Sequence, residues 1–282
     1  MNTVTIACCQ LAPRIGDTAY NKKLAEQAIR DAAGNGANII VLPELTPSGY
    51  VFKDKEEARL LAETPEQTPN EWARLAKQLN VVIVGGFCEL GENRLHISAA
   101  LAANNGDLTL YRKAHLWNAE KRIFIAGDKP PPVIDTVFGK IALMICYDQE
   151  FPEWVRLAAL AGADLIAMPV NWPDSPRPEG ERPMEIVRVQ ANAAVNRIFI
   201  AACDRAGTER GVDWVGGSVI VDADGYPLTP SLRNNNQAIE GTVYATIEIN
   251  QARNKAISEL NDVHADRRPE LYSAIVPVVS VD

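Results

Sequence analysis

Positive charge is in short supply in this chain. Its 282 residues carry 28 lysines and arginines against 36 aspartates and glutamates, a formal net charge of -8, which argues against a nucleic-acid partner, since such a partner needs a basic face. Runs of like charge are missing as well. No uninterrupted apolar segment approaches membrane-spanning length. The start, Met1 to Gln10, has no cationic opening, and its apolar part is broken by Gln10 and Arg14, unlike a secretory signal. Cysteine is limited to five residues, an odd number with no CxxC pair, which argues against a disulfide framework and for a reducing, cytoplasmic setting. The three histidines, His96, His115 and His264, form no zinc-ligand spacing with cysteine or aspartate, so neither a metal nor a cofactor is expected. What is present, 47% apolar and 23% charged residues, is the composition of a globular protein with a sizeable core.

Apolar runs and helical patterns alternate along the whole chain. Strands are expected at 4–7, 37–42, 81–89, 94–102, 108–112, 140–146, 163–170, 198–203, 216–222 and 241–249. Asn104-Asn105-Gly106-Asp107 supplies a hairpin turn between two of them. Helices are expected at 20–33, 56–62, 69–79, 151–160 and 184–196. Two segments are too long or too proline-rich to be mere connections, 114–132 and 173–183, and both suit the walls of a site. No linker divides the chain, so the pattern predicts one α/β domain over 1–282, with a C-terminal arm at about 250–282 made of a short helix and a polar tail.

Three strand ends carry reactive side chains. The run Lys140 to Ile145 stops at Cys146, and Pro152 follows in what reads as the first turn of a helix. A helix N-terminus lowers a thiol pKa and offers backbone N–H groups to an oxyanion. Cys146 therefore reads either as a nucleophile or as a buried packing residue. Glu44 ends the run 37–42, where open α/β sheets place functional groups, although a solvated loop acid fits the same position. Lys113 follows the strand 108–112 and reads either as functional or as one more surface lysine. Together the three have compatible chemistry: a carboxylate to take a thiol proton, and a cation to hold an oxyanion.

The segments Leu42-Pro43-Glu44, Tyr111-Arg112-Lys113-Ala114-His115-Leu116, Ile145-Cys146-Tyr147-Asp148 with Phe151-Pro152-Glu153, and Pro169-Val170-Asn171-Trp172 occur in this order. In them the chain resembles the nitrilase superfamily of carbon–nitrogen hydrolases, from the first strand to the Arg267-Arg268-Pro269-Glu270-Leu271-Tyr272 arm. The resemblance implies an α/β fold arranged as a four-layer α-β-β-α sandwich. It implies that Glu44, Lys113 and Cys146 meet as a catalytic trio, and that Glu120, in Glu120-Lys121-Arg122-Ile123-Phe124, is a second glutamate orienting Lys113 and the substrate nitrogen. It further implies that the N–H of Tyr147 shares the oxyanion with Lys113, and that Asn171 and Trp172 face a small-molecule amide substrate. Members commonly pair through helices near the nucleophile and through the C-terminal arm, so a homodimer or higher homo-oligomer is expected. Tyr50 and Phe52 suit either an opposite pocket wall or packing. One departure stands out: Asp204-Arg205-Ala206-Gly207 takes the place of the Asn-Arg-x-Gly of many relatives.

Within the family, amides, nitriles and N-carbamoyl compounds share the same trio. The segment Cys146-Tyr147-Asp148-Gln149-Glu150-Phe151-Pro152-Glu153 resembles amidase branches, whereas nitrilases more often resemble Cys-Trp-Glu there. A carbamoyl amino acid would need a cation for its carboxylate, for which Arg177 and Arg182 are candidates. Outside the family, a papain-like peptidase would need His115 beside Cys146, and a non-catalytic binding protein would need none of this chemistry.

Overall fold

The computed structural model describes residues 3–234 and 237–275. Strands β1 (Thr3–Gln10), β2 (Ile39–Val41), β3 (Val82–Gly91), β4 (Arg94–Ala102) and β5 (Leu108–Arg112) form one sheet together with the last long strand, β11 (Gly241–Glu248). Its spatial order is β11-β1-β2-β3-β4-β5, parallel at its centre and antiparallel at both ends. The second sheet holds β6 (Val133–Thr136), β7 (Gly139–Leu143), β8 (Leu165–Pro169), β9 (Phe199–Cys203) and β10 (Val219–Val221), in the order β10-β9-β8-β7-β6. Here too the central pairs are parallel.

Strand periodicity decides the layering. In β1, Val4, Ile6 and Cys8 face one apolar cluster, while Ala7 and Cys9 face another; in β2, Ile39 and Val41 part in the same way from Ile40. The first cluster includes Leu143, Ala167 and Ile200 of the second sheet, so it is the inter-sheet core. The other is closed by Ala25 and Ile29 of helix α1 (Thr18–Gly34) and by Trp72 and Ala76 of a later helix, Thr68–Leu79. Between these two lies the short α2 (Lys55–Leu61), which makes the later helix α3. On the far side, Val155 and Ala158 of α5 (Pro152–Leu160) and Val189 and Ala193 of α6 (Met184–Asn196) cover the second sheet. The result is the α-β-β-α sandwich. Helix α4 (Glu120–Ile123) is a single turn inside the 114–132 wall.

Several boundaries differ from the sequence expectation. The run ending at Cys146 is a strand only to Leu143, because Cys146 itself takes φ +46° and opens a 3-10 turn, Cys146–Glu150, ahead of α5. Strand β6 is an addition: its four residues have no strong periodicity of their own and are fixed by pairing with β7. The expected strand 216–222 keeps only Val219–Val221. The tail helix is a 3-10 turn, Ile249–Arg253, and residues 276–282 of the expected arm lie outside the described residues. Among the described residues no helix is long and apolar enough to cross a membrane.

Candidate active site

The ends of β2, β5, β7 and β8 converge where the two sheets meet. Glu44 follows β2 and is held across the gap: its N–H donates to the Val170 carbonyl at 3.4 Å, and its carbonyl accepts from Asn171 Nδ2 at 2.8 Å. Gly86 makes this approach possible, since a Cβ there would lie 2.6 Å from the Glu44 Cα. Lys113 leaves β5 with its N–H on the Ile97 carbonyl at 2.8 Å, and its side chain is fully buried. Glu120 opens α4, whose tight turn is locked reciprocally: Glu120 N–H donates to the Trp117 carbonyl at 2.9 Å, and Trp117 N–H to Glu120 Oε2 at 2.6 Å.

These side chains form one buried cluster. Lys113 Nζ donates to Glu44 Oε1 at 2.8 Å and to Glu120 Oε1 and Oε2 at 2.8 and 2.9 Å. Glu120 Oε1 also accepts from the Tyr50 hydroxyl at 2.6 Å. Glu44 Oε2, by contrast, accepts no hydrogen bond among the described residues. It lies near enough to Cys146 for each to shift the other's ionisation. The thiol donates to the Asn171 carbonyl at 3.7 Å.

Electrostatics follow from burying two carboxylates with one cation. Burial pushes Glu44 up to about 7, with Lys113 pulling it down and Glu120 adding to the rise. Burial also acts against the Lys113 ammonium, but Glu120 and then Glu44 more than compensate, so it is held above its ordinary value. The Cys146 thiol is raised well above a free cysteine, first by burial and then by the Glu44 charge. The lowering expected from a helix N-terminus is outweighed, and this environment favours the thiol over the thiolate.

The turn that carries Cys146 is fastened by Asp148. Its buried carboxylate accepts from Ile145 N–H at 3.0 Å, Tyr111 hydroxyl at 2.7 Å and His115 N–H at 3.1 Å, and His115 Nδ1 lies 2.7 Å from it. These contacts hold the left-handed backbone at Cys146, which a non-glycine residue keeps only when its surroundings impose it. Tyr147 lies in the first turn of the 3-10 segment, where backbone N–H groups have no partner from the turn itself. His115 stacks on Phe151 at 3.8 Å between ring centroids and is absent from the cavity lining, so it is not placed as a thiol partner.

A cavity of about 510 Å³ opens above Cys146 and Glu120, with Asn171 and Trp172 in its wall. Tyr50, Phe52, Trp117, Tyr147 and Trp214 add aromatic rings to its wall. Tyr50 and Phe52 thus stand on the wall as well as in the packing. Trp117 and Trp214 went unnoticed in the sequence because an isolated tryptophan gives no sign of which surface it lines. Arg177 pairs with Asp174 at 2.6 Å, Arg182 bonds Gln190 at 2.8 Å, and neither lines the cavity. Arg188 does line it, bonded to Glu150 at 2.7 Å. The Asp204 departure is accommodated: its buried carboxylate accepts from the N–H groups of Trp172, Arg205 and Gly217 at 3.0, 2.8 and 2.9 Å, which fixes the Trp172 wall. Among the described residues no group of three or more histidines, cysteines or acids is arranged to hold a metal.

Comparison with known proteins extends this geometry. Residues 5–256 match the family model described as carbon-nitrogen hydrolase. A protein named nitrilase from Pyrococcus abyssi is 36% identical over 273 residues, covering 95% of this chain and 99% of its own length. An amidase from Nesterenkonia sp. superposes with a TM-score of 0.81 at 28% identity, over 97% of this chain and 96% of that one. A mutant of the Nesterenkonia sp. AN1 amidase, 27% identical with a TM-score of 0.79 over 97% of this chain and 100% of that one, shows Michael addition of acrylamide at its active-site cysteine.

Proposed function

The chain belongs to the carbon-nitrogen hydrolase family, and on that premise we propose that it hydrolyses the non-peptide C–N bond of a small aliphatic or amino-acid-like amide, giving a carboxylic acid and ammonia through a thioester on Cys146. The observation that carries this reading is the buried convergence of Glu44, Lys113 and Glu120 beside the Cys146 thiol at the inner end of a cavity with aromatic side chains in its wall.

The open oxygen of Glu44 takes the thiol proton as sulfur bonds to the amide carbon. Negative charge moves to the carbonyl oxygen, which Lys113 Nζ and the Tyr147 N–H receive. Lys113 has an N–H to spare when its contact with Glu120 is bifurcated. As the C–N bond breaks, Glu44 returns the proton to nitrogen and ammonia leaves. Glu44 then takes a proton from water, whose oxygen attacks the thioester; the C–S bond breaks, and the sulfur recovers its proton. Asn171 Oδ1, buried and without a partner among the described residues, is free to accept from the substrate nitrogen. Glu120 acts by holding Lys113.

The same proposal covers location and assembly. A cytoplasmic setting is supported by five free cysteines. A homodimer or higher homo-oligomer is supported by Leu157 and Leu160 on α5 and Val187 and Val195 on α6, all exposed and apolar. A neutral substrate is favoured over a carbamoyl amino acid because, among the described residues, the guanidinium in the cavity wall, Arg188, is already paired with a carboxylate. A panel of butyramide, butyronitrile and an N-carbamoyl amino acid, assayed for ammonia and carbon dioxide, tests the reading. Ammonia from butyramide without carbon dioxide is expected; turnover of the carbamoyl compound alone would overturn the amide assignment.

A further inference from the structure

Behind the cavity wall lies a second buried ion pair that the reaction does not use. Arg205 Nη1 donates to Glu209 Oε1 at 3.0 Å and Nη2 to the Pro13 carbonyl at 2.6 Å, and both side chains are nearly solvent-free. The other oxygen of Glu209 accepts two backbone N–H groups, from Tyr50 at 2.9 Å and Val51 at 2.6 Å. Gly49 permits this seat: it has φ +80°, and a Cβ there would lie 2.8 Å from Glu209 Oε1 and 2.6 Å from the Ile15 Cα. The Arg205 guanidinium also lies over Trp214 at 4.7 Å, and the Tyr50 ring meets Trp214 edge-on at 5.3 Å. Backbone and ring of Tyr50 are therefore both set by the same pair, and its hydroxyl ends 2.6 Å from Glu120.

We infer that Tyr50 is a positioning residue of the amide hydrolysis proposed above, and that the Arg205–Glu209 pair is the strut through which the 204–209 segment fixes Glu120, and with it Lys113, in the geometry that receives the oxyanion. The physical reason is directional. Glu120 is gripped by Lys113 and by the Trp117 N–H, but Lys113 is the group that must redirect an N–H when charge develops on the substrate. Tyr50 is a neutral donor that stays on Glu120 through that change, so the carboxylate does not follow the ammonium.

The test is a double-mutant cycle between Tyr50→Phe and Glu209→Gln. Two readouts are taken: butyramide hydrolysis, and the rate at which iodoacetamide alkylates Cys146, measured on the Cys146 peptide. Tyr50→Phe is expected to lower kcat by roughly 10- to 100-fold, the loss of one hydrogen bond to a charged group, with KM nearly unchanged. Glu209→Gln is expected to lower kcat by a smaller factor and to add nothing in the Tyr50→Phe background. Losses that multiply in the double mutant would overturn the strut, as would a Tyr50→Phe variant with parental kcat. If Glu209→Gln does not fold, Arg205→Met combined with Glu209→Gln, which leaves no unpaired buried charge, replaces it in the cycle. A parent chain that releases no ammonia from any amide would overturn the proposed reaction rather than the strut, and the alkylation rates would then decide the cycle.

Discussion

The Glu44–Lys113–Glu120 cluster and the Arg205–Glu209 pair are both buried and both ionic, and each keeps one buried polar atom without a partner among the described residues, Glu44 Oε2 and Arg205 Nε; they differ in charge balance and in how their carboxylates are satisfied. In the pair, charges balance, and each Glu209 oxygen is occupied, one by a guanidinium and the other by two backbone N–H groups. In the cluster, two carboxylates share one ammonium, one oxygen of Glu44 is open, and burial holds that carboxyl near 7. A balanced buried pair fixes geometry, whereas an unbalanced one keeps a proton in play at neutral pH. The fold thus sets a charge-balanced pair apart from a cluster with one carboxylate in excess.

The hardest blow to the cluster is removal of its nucleophile. Cys146→Ala is expected to abolish ammonia release, by roughly 10⁴-fold or more, while thermal unfolding stays near the parent, because alanine fills the same turn. Turnover at the parental rate would end the assignment. Next comes a matched pair of charge deletions. Lys113→Met and Arg205→Met each strand buried carboxylates, at about 3–5 kcal/mol of stability, read as a lowered Tm. Only Lys113→Met should also eliminate turnover; if Arg205→Met eliminates it too, the two regions are not functionally distinct.

Smaller effects sharpen the contrast. Glu120→Gln is expected to lower kcat by about 100-fold, no less than Tyr50→Phe, and to change KM hardly at all, because it acts on the transition state; a pure KM effect would contradict that role. Since Glu44 must be ionised to act as base, kcat/KM should rise with pH and level off above about 7. Glu120 is one of the charges that raise Glu44, so Glu120→Gln should move this acid limb to lower pH. A limb that stays in place would show that the two carboxylates are not electrostatically linked.

The parts of the site that were legible in the sequence share one feature. Glu44, Lys113 and Cys146 each terminate an apolar run, and strand ends are where an α/β sheet hands side chains to solvent or to substrate. The hairpin 94–112 was legible for the same local reason, a turn tetrapeptide between two apolar stretches. Tyr50 read as packing before wall, because an aromatic after a strand gives no sign that its hydroxyl meets an acid 70 residues away. Arg205 stood out only through the family pattern around it, and Glu209 not at all, since a glutamate in a polar turn looks solvated until the 49–51 loop closes over it.

The sequence by itself determined most of the element order and which reactive groups sit near strand ends, because strand and helix periodicity and turn chemistry are local. Only the tertiary structure decided that the surroundings of Cys146 favour the thiol, that Glu44 is pushed up to about 7, and that one buried ionic group is charge-balanced while the other is not. Those properties depend on burial and on neighbours as much as 159 residues apart in the chain, and neither desolvation nor a through-space charge has any signature in a window of sequence.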